Sequence, residues 1–98
     1  MDTGQYPPSP CDCHQELAGL LDHLLGLPLG SQDEVNAWYA KATSAEEFLD
    51  THWPDLKVPI PHDLYHFFSD ADIRAKEPGY RASQEDDVRS FIALLRSK

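Results

Sequence analysis

Apolar residues fall in helical stripes along most of this chain. Leucines at 17, 20, 21, 24 and 25 recur at i, i+3, i+4, i+7 and i+8, which lays them on one helix face while Glu16, Asp22 and His23 fall elsewhere. Ser9-Pro10-Cys11-Asp12 supplies an N-cap hydroxyl, a proline for the first helical position and an acid for the positive end of the dipole. A first helix is therefore predicted from Ser9 to about Leu25, ended by Gly26, Pro28 and Gly30.

Ser31-Gln-Asp-Glu34 has the form of a capping box, and Val35, Trp38, Tyr39 and Ala42 continue from it at helical spacing. Ser44-Ala-Glu-Glu47 repeats the box, so a separate third helix is predicted with Ala45, Phe48 and Leu49 inside, ending near His52 and closed by Trp53-Pro54. Leu56-Lys-Val-Pro-Ile-Pro61 loses backbone donors to its prolines and reads as an extended strap. Pro61 then opens a helix over His62 to Ser69, with Leu64, Phe67 and Phe68 buried and Tyr65 off that side. A short turn follows from Ser69, stopped by Pro78-Gly79. Ser83 is the predicted cap of the last helix, whose stripe is Val88, Phe91, Ile92 and Leu95.

No alternating β-branched run occurs, so the predicted class is all-α. The expected architecture is a small irregular bundle of four main helices, with one or two short turns around the proline strap. Residues 1–8 read as a tail and 9–98 as one helical domain. At 98 residues and 41% apolar composition the chain can bury one modest core.

The formal charge of −9 disfavours direct binding of nucleic acid through phosphate neutralisation and points to a basic protein partner. Ten acids and two bases precede residue 61, against seven and six after it, so nearly all the excess lies in the first part. No stretch is apolar for the length of a membrane span, and MDTGQYPPSP lacks the basic and apolar regions of a secretory signal. A cytoplasmic protein with no membrane contact is expected. Cys11 and Cys13 are too few and too close for a disulfide framework and are expected to be thiols.

Asp33, Glu34, Glu46, Glu47, Asp50 and Asp55 surround Trp38, Tyr39 and Trp53 in sequence, and acids with rings make a candidate partner-binding face. The plainer alternative is that four of these acids serve helix first turns and the rings serve the core. Cys11, Cys13 and His14 form a candidate thiol or zinc cluster, but no second ligand pair accompanies them. His62 and His66 stand one turn apart, with Asp70 a turn beyond, yet the glutamate of the hydrolytic zinc motif is missing. No metal or cofactor is expected. Asp70 with Asp72, and Glu85 with Asp86 and Asp87, are read as helix-terminal acids rather than a catalytic pair. Arg74, Lys76 and Arg81 are expected to pair with neighbouring acids across the Pro78-Gly79 turn.

The leading expectation is a non-enzymatic acidic binding module. In size, acidity and helical pattern the chain resembles the immunity proteins that neutralise nuclease toxins, a likeness of class without a shared motif. That likeness implies an inhibitor docking on a basic surface. A metal-binding or thiol regulator, and an adaptor domain whose charge aids solubility, are the alternatives.

Overall fold

Val35, Trp38, Ala42, Ala45 and Leu49 are buried on one helix at alternating steps of three and four residues that run straight through Ser44, and Leu56 is buried two turns further on. The computed structural model describes residues 11–97, and this stripe belongs to a single 25-residue helix within it. The described residues form α1 (Cys11–Leu25), α2 (Gln32–Leu56), α3 (His62–Ser69), α4 (Ala71–Lys76) and α5 (Pro78–Arg96), with no strand among them. The class is all-α, as the periodicity indicates. The expected tail and the Ser9-Pro10 helix start lie outside the described residues.

Three boundaries differ from expectation. The Ser44 box starts no helix, because the apolar stripe on both sides of it packs into the same core and tertiary burial outweighs a local capping preference. Trp53-Pro54 does not close α2. Pro54 sits in its last turn, and the helix stops at Lys57, held left-handed at φ 53°. The last helix opens at Pro78, its first position, so Ser83 is an internal residue and Glu85, Asp86 and Asp87 are past the first turn.

The Ser31 cap forms, but the reciprocal half of the box does not. Ser31 Oγ accepts from the Glu34 amide at 3.2 Å, while Glu34 Oε1 reaches past Ser31 to accept from the Gly30 amide at 2.7 Å. Ser31→Ala is expected to lower stability by about 1 kcal/mol, read as a shift in the denaturant midpoint.

A short connection makes α1 and α2 antiparallel neighbours, pinned near both ends. Trp38 Nε1 donates to the Leu24 carbonyl at 3.0 Å, and His14 Nε2 donates to the Leu56 carbonyl at 2.6 Å. The strap after Lys57 buries Val58 and delivers the chain to α3, which lies against α2 and α5. Buried side chains from all five helices and the strap join one apolar cluster. Among the described residues no helix is long and apolar enough to cross a membrane.

Candidate functional site

Continuity of α2 changes the meaning of its acids. Glu46 and Glu47 are mid-helix, so neither capping nor the dipole accounts for them. On one helix Glu46, Asp50 and Trp53 stand at i, i+4 and i+7 and fall within an arc of about 60°. This stripe borders the core face, beside buried Leu49.

Across from it lie the strap and α3. A cavity of about 350 Å³ opens between Leu49, Asp50 and Trp53 of α2, the strap's Val58, Pro59 and Ile60, and Tyr65 of α3. A second of about 160 Å³ adjoins it, sharing Leu49, Asp50 and Tyr65 and adding Glu46 and Phe68. Together they make a groove with an apolar floor. Trp53 is 58% exposed and Tyr65 48%, the two most exposed large rings described. Glu46 is held above the usual glutamate range, first by partial burial and then by the neighbouring Asp50 carboxylate.

Some of the acids elsewhere are engaged, while Glu16, Asp33, Glu47, Asp63, Glu77 and Asp87 have no ion-pair partner among the described residues. Glu85 meets Arg81 at 3.0 Å and Arg89 at 3.5 Å, Asp86 meets Arg89 at 3.1 Å, and Asp22 meets Arg96 at 3.5 Å. Arg81 thus pairs along α5 rather than across the preceding turn. Asp70 accepts from the Tyr80 hydroxyl at 2.6 Å. Glu46 and Asp50 have no ion-pair partner among the described residues.

Only part of the expected binding face is at this groove. Glu46, Asp50 and Trp53 meet there. Asp33 and Glu34 are at the other end of α2, about 25 Å away by helix rise, with Glu34 committed to its cap. Trp38 is 1% exposed, a core residue beyond a partner's reach. Tyr39 is half-buried, and its single hydroxyl proton is shared between Asp72 Oδ1 at 2.8 Å and the Ser69 carbonyl at 3.0 Å. Glu47 is exposed about 100° around α2 from Glu46. Asp55 lies in the last turn, its side chain outside the described residues. Tyr65 and the strap's Val58, Pro59 and Ile60 were not foreseen as site residues. A ring on the polar side of α3 was the available signal.

The metal candidates are arranged for other purposes. His14 is buried against the Leu56 carbonyl, and Cys13 Sγ is 3.8 Å from His52 Nδ1 on α2, so these adjacent residues address different partners. The side chain of Cys11 lies outside the described residues. His62 and His66 stack edge to face at 4.8 Å, with Asp70 4.0 Å from His66. Among the described residues no group of three His, Cys, Asp or Glu side chains could hold a metal ion.

Arg74, expected to pair with neighbouring acids across the Pro78-Gly79 turn, is instead 1% exposed. Its guanidinium carbon lies 4.5 Å from the Trp38 ring centre and 4.3 Å from that of Phe67. Nη1 donates to the Phe67 carbonyl at 2.7 Å and to Gln84 Oε1 at 2.5 Å, tying α3, α4 and α5 over the ring of α2. This cation supports the fold behind the groove and has no opening to solvent. No family model, curated protein or solved structure matches this chain.

Proposed function

We propose that this protein is a non-enzymatic binding module that receives a basic segment of a protein partner in the groove between α2, the strap and α3. One observation carries the reading. Two exposed rings, Trp53 and Tyr65, and two carboxylates without ion-pair partners, Glu46 and Asp50, line the groove formed by two adjoining cavities. Aromatic faces and carboxylates attract the same ligand groups, namely guanidinium and ammonium. The charge of −9 adds long-range attraction for a cationic surface. The phosphate-binding face of a nucleic-acid enzyme is one such surface, which keeps an inhibitory role in the cytoplasm as the specific form of the proposal.

The test uses partners captured from the source lysate and then purified. Trp53→Ala should weaken binding by at least about 2 kcal/mol, near thirtyfold, if the indole is an anchor. Joint reversal of Glu46 and Asp50 to lysine should slow association and flatten its salt dependence. Asp33→Lys, at the far end of α2, is the control and should do far less. Equal effects of all three on every captured partner would show that charge acts diffusely and would remove the groove from the mechanism.

A further inference from the structure

The strap brings main-chain as well as side-chain chemistry to the groove. Val58, Pro59 and Ile60 line the larger cavity together with Asp50 and Trp53. Burial alternates along them, with Val58 buried, Pro59 exposed and Ile60 packed against the core, which is the two-residue period of an extended chain. Proline fixes φ at 59 and 61 and holds the residue before each of them extended. Pro61 itself lies at φ −67° and ψ 140°. In such a chain the peptide groups of alternate residues point to the same edge, so Val58 and Ile60 share one edge and the two prolines, without N–H, share the other. Among the described residues the N–H and C=O groups of Val58 and Ile60 form no hydrogen bond.

Resting on the proposed binding of a basic segment, we infer that the segment binds in extended form and pairs its main chain with the Val58 and Ile60 edge of the strap. The mode is strand addition, in which main-chain bonds supply affinity and the side chains of the groove supply specificity. The prolines make the pairing one-sided, as at the edge of a sheet. Successive side chains of the added strand point to opposite faces, so its basic residues stand at alternate positions, on the face toward Asp50 in the same cavity and Glu46 in the adjoining one.

Desolvation selects the extended form. Val58 is 8% exposed, and an occupant of the cavity it lines takes water from main-chain groups that have no partner among the described residues. A helix has committed its own amides and carbonyls along its length and would leave those groups unmet. An extended segment supplies a donor and an acceptor at the two-residue spacing they require. A second copy of this chain is a poor occupant, because each copy carries −9 and the rim is acidic.

The experiment follows Trp53, which is exposed while Trp38 is buried, so acrylamide quenching of the intact protein reports chiefly on Trp53. The probe is a capped synthetic peptide of alternating Arg and Val, without Trp or Tyr, titrated to millimolar concentration. Two further versions carry N-methyl groups, one on every Val amide and the other on every Arg amide, which removes the donors of one strand edge or of the other. The parent peptide should protect Trp53 from quenching, with an affinity at least about tenfold lower for the Glu46→Lys/Asp50→Lys variant. One methylated version should bind at least about tenfold more weakly than the parent, and the other within about threefold of it. With the parent peptide bound, deuterium exchange at the Val58 and Ile60 amides, followed by NMR, should slow at least about tenfold.

Equal weakening by both sets of methyl groups, or by neither, would overturn strand addition, because a helix commits nearly all its amides and docking by side chains alone uses none. The two levels can fail separately. If groove variants weaken captured partners but the parent peptide leaves Trp53 quenchable or the Val58 and Ile60 amides unslowed, strand addition falls and the binding reading stands. If groove variants weaken no captured partner and no peptide protects Trp53, both fall.

Discussion

Trp38→Ala should cost about 3–5 kcal/mol of folding stability, with thermal unfolding lowered by more than about 10 °C. The indole is fully enclosed, meets the Phe67 ring edge-on at 5.2 Å and that of Tyr39 at 5.8 Å, and carries the Arg74 guanidinium on its face. Truncation empties the junction of α1, α2, α3 and α4 and removes the face on which a buried cation rests. The lost hydrogen bond is the lesser part. The Leu24 carbonyl that accepts from Nε1 also accepts from the Leu27 amide at 3.3 Å, so it keeps a donor. Trp38→Phe should accordingly cost clearly less than Trp38→Ala. Trp53→Ala is the counterpart and should change stability by no more than about 0.5 kcal/mol, because its ring is mostly in solvent. Domains of this size hold only about 5–15 kcal/mol in total, so one chemical denaturation series separates the two tryptophans. Comparable losses from both would mean that Trp53 is part of the core.

Arg74→Ala is expected to cost a similar amount, about 3–5 kcal/mol, for a different reason. Removing the side chain opens a void between Trp38 and Phe67 and leaves the Phe67 carbonyl and Gln84 Oε1 without this donor. Charge is not what makes the residue valuable. Burial pushes its pKa down to about 10, partly offset by Glu85, so the guanidinium remains charged at neutral pH but is desolvated at a cost. Nε and Nη2 are buried without partners, which adds to that cost. Arg74→Met keeps an unbranched side chain between the rings and removes both bare donors. It should therefore recover at least about 2 kcal/mol relative to alanine. Should methionine prove as damaging as alanine in the same series, the hydrogen bonds from Nη1 would be the dominant contribution.

Helix content and most of the core were legible residue by residue. The leucine stripe of α1, the Ser31 cap and the 62–69 boundaries of α3 depend on neighbours a few residues away, and such short-range preferences survive in any compact arrangement. Continuity of α2 was also written in the chain, as the steps of three and four from Val35 to Leu49, but a capping box at Ser44 argued locally for a break. The break lost because burying one uninterrupted face yields more than one cap can.

Tertiary structure alone decided which rings face water, where Arg74 goes and which acids gather. Trp38 and Trp53 stand on the same helix in similar company, yet the first is enclosed by the packing of α1, α3 and α4 on α2 while the second is left mostly in solvent. Arg74 looks in sequence like one of three bases beside a turn. Only the docking of α4 between α2, α3 and α5 turns it inward. The groove is non-local in the same sense. Asp50 and Tyr65 are fifteen residues apart, and they line one cavity because left-handed Lys57 and the proline strap fold α3 back on α2. A pattern of residue types specifies what each face is made of. Which faces meet is set by the packing of whole elements, whose energies are sums over contacts distant in the chain.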